Sequence, residues 1–189
     1  MTHTTNSKEA GTPVENDIDI AERATTERKG AIGATVTRLA LGFTTLFTWF
    51  DNISKDFYDG ENFPGFFNDY LFVSAEDGGN GSQLFFVQDI LNATILQAPE
   101  FFGWVLTFFE LGIAIGLIFG IFTRAASLAA IGFFVNLFLV YVGGEEWIWT
   151  YVLLSAAAIA IFFDWGGRLL GVDQLIAKAK GESPFGLIW

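Results

Sequence analysis

Apolar residues are grouped along this chain into four long runs, separated by short polar breaks and by one long mixed segment. The clearest run, residues 101–123, contains a single charged residue, Glu110. As a helix it would extend about 35 Å, enough to cross a hydrocarbon core of about 30 Å. The run therefore predicts a membrane-spanning helix with a carboxyl group near its middle.

The other three runs suggest further spans at residues 35–53, 125–142 and 147–163. Thr123-Arg124 and Gly143-Gly144 form the short links between the last three runs, and short links place consecutive helices antiparallel. The pattern thus predicts an all-α, integral membrane, up-down four-helix bundle at residues 35–175. Residues 1–34 are expected to form a polar cytoplasmic tail that is disordered or loosely helical, and residues 176–189 a C-terminal cytoplasmic tail.

The long outer segment, residues 54–100, is rich in aromatic residues and is therefore not a plain linker. Within it, residues 84–97 place Leu84, Val87, Leu91 and Ile95 near one helical face, which predicts a short interfacial helix. Two roles remain open for this helix. It is either a lid over a ligand pocket or a cap that packs on the bundle and rests on the membrane.

Charge is divided unevenly between the two ends of the predicted bundle. The chain has 21 acidic and 10 basic residues, and Lys55 is the only base within residues 51–100. The positive-inside rule then places the other end, with both termini, in the cytoplasm, as expected for a multi-pass protein of the cell membrane. An even number of spans agrees with this orientation. The acidic excess also suggests adaptation to high salt.

Composition excludes several classes of chemistry. The chain has no Cys, and its one His is His3 in the polar tail, so we expect no haem, iron–sulfur cluster or other metal site. Mean hydropathy is +0.44 and 52% of the residues are hydrophobic, more than an ordinary soluble domain carries. Membrane lipid is the expected surrounding, and no nucleic-acid partner is expected.

Glu110 is the first candidate for chemistry, because a carboxylate inside a spanning helix is costly unless it is paired, protonated or hydrated. Helical periodicity places it on a small, polar stripe with Gly103, Thr107 and Ala114. The candidate polar cluster around it consists of Arg38, Asp51, Lys55, Arg124 and Asn136. Of these, Lys55, Arg38 and Asn136 are the candidate direct partners of Glu110, while Asp51 and Lys55 form an i,i+4 pair.

Two interpretations of Glu110 stay open. It either belongs to a structural polar cluster that fixes helix register, or it handles a proton or binds a polar head group such as a quinone carbonyl. The outer segment also carries three N-x-S/T sequons, at Asn52, Asn80 and Asn92. Asn80 and Asn92 are the glycosylation candidates, because Asn52 is the least accessible of the three.

Three stretches resemble the DoxX/DoxD family of membrane proteins. Residues 110–130 (ELGIAIGLIFGIFTRAASLAA) resemble the family's second helix, in which a Glu begins a Gly-rich helix ending in Thr-Arg. Residues 38–55 (RLALGFTTLFTWFDNISK) are similar to its first helix. Residues 145–175 (EEWIWTYVLLSAAAIAIFFDWGGRLLGVDQL) resemble the DoxD-type branch, with a Gly-Arg-x-x-Gly-x-Asp exit.

The resemblance implies a four-helix membrane subunit and, for the DoxD-type branch, the small subunit of a thiosulfate:quinone oxidoreductase that works beside a second subunit. Quinone would then be the cofactor, and a second protein or further copies of this chain its partners. The alternative is a non-enzymatic scaffold that binds partners through the outer aromatic segment. A small transporter is less favoured, because no Pro interrupts any predicted span.

Overall fold

A computed structural model describes residues 13–164 and 170–180 of the chain. These residues form seven α-helices, one π-helical turn and two 3₁₀ turns, and no strand occurs among them. Three of the helices are long and apolar enough to cross a membrane, at Lys29–Ser54, Pro99–Phe119 and Thr123–Tyr141. The expected all-α class is therefore confirmed, with three candidate spans.

The first helix, α1, covers Pro13–Ser54 and includes the first span. It begins well before residue 35, so residues 13–34 are helical although the predicted apolar run starts only at residue 35. Hydropathy locates the entry into a membrane, not the start of a helix, and about half of this segment consists of Ala, Glu, Arg and Lys, which have high helix propensity. Residues 1–12 lie outside the described part of the chain.

The second span is α4, Pro99–Phe119, and its two ends have clear local causes. Pro99 suits the first helical position, and Glu100 in the first turn interacts favourably with the helix dipole. The helix ends at Gly120, which has φ 64° and ψ 44°, a left-handed conformation that glycine adopts without strain. The predicted run continued to residue 123 because Ile121 and Phe122 are apolar, although they form the turn into the next helix.

Two more apolar helices follow, α5 at Thr123–Tyr141 and α6 at Trp149–Asp164. The chain packs α1 against α4 and α6, and α5 against α4 and α6. Gly42 of α1 allows close approach to α4, because a Cβ atom at Gly42 would lie 2.9 Å from a side-chain carbon of Ile118. The shared core consists of Leu41, Ile113, Leu117, Ala130, Phe134, Ala158 and Ile161.

We call the two ends of this helix assembly the loop side and the terminal side. The loop side carries residues 55–98, which contain α2 (Asn62–Gly65), the π-helical turn Phe66–Leu71, and α3 (Phe85–Ala93). Together with Val140 of α5, this segment forms a second apolar core, whose other members are Phe63, Phe67, Leu71, Val87 and Leu91. The loop-side segment is therefore a folded cap and not a linker.

The terminal side carries the turn between α4 and α5 and the last helix, α7, at Val172–Lys180. The predicted C-terminal tail from residue 176 thus begins inside α7, and its residues 181–189 lie outside the described part of the chain. α7 contacts the ends of α4 and α5, as described below. Its position matters because it contributes to one of two buried polar clusters.

Candidate functional site

The loop-side cluster consists of Glu110, Tyr58 and Asn52. Glu110 is only 3% exposed. The hydroxyl of Tyr58 donates a hydrogen bond to Glu110 Oε2 at 2.5 Å, and the side-chain amide of Asn52 donates to the same oxygen at 3.4 Å. The Asn52 amide also donates to the Tyr58 hydroxyl oxygen at 3.0 Å. The three side chains thus form one hydrogen-bonded unit around a carboxyl group.

The chain brings these three residues together by reversing direction just after α1. Asn52 lies in the last turn of α1, and Asp56 takes a positive φ of 52°, which turns the chain back towards α4. Tyr58 then crosses α4 at Gly103, where a Cβ atom would lie 2.2 Å from the Tyr58 carbonyl oxygen. Only glycine permits this approach, so Gly103 sets the position of Tyr58 above Glu110.

The face of α4 that carries Glu110 is buried, as the periodicity predicts. Gly103, Thr107, Glu110 and Ala114 all lie in the protein interior. The Thr107 hydroxyl donates to the carbonyl oxygen of Gly103 at 2.9 Å, so its polar group is satisfied within the helix. Aromatic side chains such as Trp104 and Phe108 project from the opposite side of α4 and are exposed, as expected of a surface that faces lipid.

Both hydrogen-bond partners of Glu110 in the described part of the chain are neutral groups. Burial, and then the hydrogen bond to Glu110, raise the pKa of the Tyr58 hydroxyl well above its usual value. The phenol therefore stays protonated and acts as a donor at neutral pH. The cluster has the composition of a site that exchanges a proton or donates hydrogen bonds to a carbonyl ligand.

The terminal-side cluster is built around Arg38, which is fully buried. Its Nη1 donates to the carbonyl oxygens of Leu117 at 2.9 Å and Ile118 at 3.4 Å, in the last turn of α4. Its Nη2 donates to the carbonyl oxygen of Leu170 at 3.3 Å. A cation is favourable at the carbonyl end of a helix, so Arg38 stabilises the end of α4.

Asp173 completes this cluster from α7 and is 2% exposed. Its carboxylate accepts the backbone N–H of Phe122 at 2.8 Å and that of Thr123 at 2.7 Å, which are the residue before α5 and the first residue of α5. Its own N–H donates to the Gly120 carbonyl oxygen at 2.9 Å. Asp173 thus caps α5 from a distant segment, and its negative charge attracts the positively charged guanidinium group of Arg38.

The structure corrects the predicted partners of Glu110. Lys55 is exposed and pairs with Asp51 at 2.5 Å, Arg38 belongs to the opposite end of the bundle, and Asn136 is exposed on α5. Arg124 lies with its guanidinium 4.7 Å from the ring centre of Phe162. The polar residues predicted as one cluster are therefore distributed over both ends and the surface of the protein.

The sequence pattern did not predict Asn52 and Tyr58 as partners of Glu110. Asn52 was identified only as part of a sequon, and Tyr58 is one of many aromatic residues in its segment. The signal that could have indicated them is Gly103, a small residue on the Glu110 stripe where another part of the main chain can approach. Asp173 appeared in the sequence only as the end of the Gly-x-Asp motif.

The two glycosylation candidates differ in accessibility. Asn80 is fully buried, and its side-chain and main-chain oxygens accept the N–H groups of Glu146 and Glu145. It joins the loop-side cap to the turn between α5 and α6. Asn92 is exposed on α3, so it stays a predicted acceptor.

Neither cluster resembles a metal centre. Among the residues that the structure describes, no group of three or more His, Cys, Asp or Glu side chains is arranged to hold a metal ion. A separate groove of about 350 Å³ lies between α4 and α5 and is lined almost entirely by apolar side chains and glycine. It is on the face of α4 away from Glu110.

Comparison with known proteins places this architecture in a family. A sequence model of the DoxX family matches residues 32–143, from the first span to the end of α5. No curated protein and no solved structure matches the chain. The matched residues include the whole loop-side cluster and Arg38 of the terminal-side cluster. The chain is thus a membrane protein that belongs to the DoxX family.

Proposed function

We propose that this protein is the membrane subunit of a quinone-reducing oxidoreductase, and that the loop-side cluster is its quinone head-group and proton site. The observation that carries the proposal is the hydrogen bond between Tyr58 and Glu110 inside a membrane-spanning helix bundle. Burying an ionisable side chain inside a membrane is energetically unfavourable, and the ionisable residues found there commonly belong to functional sites.

The chemistry of the three side chains suits a quinone. Reducing a quinone to a quinol takes two electrons and two protons, which end on its two carbonyl oxygens. The Tyr58 hydroxyl and the Asn52 amide are donors for such an oxygen, and the Glu110 carboxyl group can deliver a proton and recover one from the loop side. The electrons would come from a second subunit that oxidises a reduced sulfur compound such as thiosulfate.

Ligand entry requires a movement, because Tyr58 and Glu110 are both buried. Residues 55–59 link α1 to the cap, and Asp51, Lys55, Asp56 and Asp59 around them are exposed. We propose that a head group enters by displacing Tyr58 from Glu110, and that its carbonyl oxygen takes over the Tyr58 and Asn52 donors. Because the loop side is acidic, an anionic sulfur donor would react best where salt screens that charge.

We also propose that α6 is a fourth span, which gives the up-down four-helix bundle. α6 has 16 residues, which is about 24 Å of helix and short of a typical span. Exposed Trp147 and Trp149 at its start lie where interfacial aromatic residues usually occur, and such anchors help short helices to span. Lys55 is the only basic residue within residues 51–100, and the concentration of the other basic residues outside this segment supports a cell-membrane protein with both termini in the cytoplasm.

The test is quinone reduction in membranes that contain the complete complex. We expect Glu110→Gln to lower thiosulfate-dependent quinone reduction at least about tenfold, because the amide cannot deliver a proton. Asp51→Asn, an exposed acidic residue near the same end of α1, is the control and should retain activity. Equal activity of Glu110→Gln and wild type, at equal levels of inserted protein, would contradict the proposal.

A non-enzymatic scaffold is the second candidate. It is supported by the folded cap, whose second apolar core leaves aromatic side chains such as Phe85 and Phe86 exposed. Native mass spectrometry of the detergent-extracted complex distinguishes the two. A bound quinone favours the oxidoreductase subunit, whereas a stable partner protein or homo-oligomer without quinone favours the scaffold.

A further inference from the structure

Helix α3 of the loop-side cap has an apolar surface that the protein covers only in part. Val87 and Leu91, four residues apart, are buried against the second apolar core. Phe86 and Ile90, also four residues apart, lie on the neighbouring stripe and are 55% and 56% exposed. Residues with this spacing share one face of a helix. The apolar face of α3 is thus about twice as wide as the part that packs on protein.

The remaining side of α3 is polar. Asp89 and Asn92 are three residues apart, share one face and are both exposed. Gln88, next to them, donates to the carbonyl oxygen of Ser82 at 3.2 Å, which ties this side of α3 to the segment that precedes the helix. Phe85, at the first position of the helix, is the exception, since it is exposed on the polar side. The helix therefore has a protein-facing stripe, an uncovered apolar stripe and a polar stripe.

α3 lies close along the chain to the start of the candidate span α4. Its last residue, Ala93, is followed by a single 3₁₀ turn, and α4 enters the membrane from Pro99. Exposed aromatic residues surround the same level of the bundle: Phe101 and Trp104 in the first turns of α4, and Trp147 and Trp149 at the start of α6. Aromatic residues concentrate at the level of the lipid head groups, where one side of a ring is apolar and the other wet.

From this geometry we infer that α3 lies in the loop-side membrane interface, with Phe86 and Ile90 inserted among the acyl chains and Asp89 and Asn92 in water. The occupant of the uncovered stripe is lipid, because α3 lies at the same end of the bundle as the exposed aromatic residues of α4 and α6, and such residues concentrate at the level of the head groups. A helix with one apolar and one polar face binds such an interface parallel to its plane. This inference is independent of the proposed quinone chemistry.

The arrangement has a consequence for the neighbouring sequon. If Ile90 is in lipid, Asn92 lies on the water-facing stripe and remains open to modification. The cap is then held on two sides, by its own apolar core and by the bilayer. Its position relative to the head groups would follow the thickness and composition of the membrane.

The chain has no Cys, so single cysteines report position without background. Ile90→Cys and the adjacent, polar-stripe variant Asp89→Cys form a matched pair, with Phe86→Cys as a second position on the uncovered apolar stripe. The purified variants are labelled with an environment-sensitive fluorophore and reconstituted in phosphatidylcholine vesicles that contain brominated phosphatidylcholine. We expect quenching at positions 86 and 90 to be at least threefold stronger than at position 89.

Accessibility gives an independent measurement. A charged, water-soluble maleimide should modify Asp89→Cys at least tenfold faster than Ile90→Cys, both in vesicles and in native membranes. Equal quenching and equal labelling at positions 89 and 90 would overturn the inference. Protection of position 90 in native membranes but not in vesicles would also overturn it, because a partner protein would then cover the stripe.

Discussion

Tyr58 donates its hydroxyl hydrogen to Glu110 across 2.5 Å, and this bond joins the loop-side cap to the middle of a membrane-spanning helix. The two residues are 52 positions apart and belong to different segments, the loop-side cap and the candidate span α4. A carboxyl group in the bundle interior thereby obtains a neutral hydrogen-bond donor. The position of this donor depends on the close approach of the Tyr58 main chain to Gly103.

Replacing Tyr58 by Phe should destabilise the protein. The substitution keeps the ring but leaves Glu110 with only the longer bond from Asn52, and leaving a buried polar group unsatisfied costs about 1–3 kcal/mol. We expect a lower midpoint of thermal unfolding in detergent. Tyr70→Phe, at an exposed tyrosine of the same cap, is the control. An unchanged midpoint for Tyr58→Phe would show that the bond contributes little.

Replacing two glycines of α4 by alanine should change the stability of the protein in opposite directions. A Cβ atom at position 103 would lie 2.2 Å from a main-chain oxygen, and such overpacking costs typically about 1–3 kcal/mol. At Gly112 no atom lies within 4 Å, and alanine favours a helix by about 0.5–1 kcal/mol. Unfolding midpoints should therefore fall for Gly103→Ala and stay equal or rise for Gly112→Ala. The reverse order would contradict the packing described here.

Removing the carboxylate of Asp173 should loosen the terminal side. In Asp173→Ala, the N–H groups of Phe122 and Thr123 lose their acceptor and Arg38 loses a nearby negative charge, which should cost about 1–3 kcal/mol. Amide hydrogen exchange should increase at residues 120–124 and leave the loop-side cap unchanged. Asp89→Asn, an exposed acid, serves as the control. Uniform exchange across the protein would indicate global destabilisation instead.

Tyr58 should remain protonated when ordinary tyrosines ionise. Its pKa is raised by burial, so the folded state favours the neutral phenol and loses that stabilisation only as pH rises past the unfolded value of about 10. Between pH 9 and 11, the rise in absorbance at 295 nm should be the same for Tyr58→Phe and wild type. A smaller rise for the variant would mean that Tyr58 titrates like an exposed phenol.

The local sequence pattern is sufficient to predict the spanning helices and the buried face of α4. Hydropathy and helical periodicity are properties of neighbouring residues, so Gly103, Thr107, Glu110 and Ala114 could be assigned to the interior from the sequence. The same reasoning predicted the stripe of α3 that contains Val87 and Leu91. It could not locate the start of α1 at Pro13, because polar residues with high helix propensity extend a helix without any hydropathy signal.

The apolar runs are enough to identify a helical membrane protein with one carboxyl group inside a spanning helix, because their number and length limit what a bilayer accepts. Which residues contact that carboxyl group becomes clear only from the folded chain. Tyr58 reaches Glu110 through a chain reversal at Asp56, and Asp173 reaches α5 through the left-handed turn at Gly120. Such contacts depend on how distant segments approach in space, and residue type alone does not encode that approach.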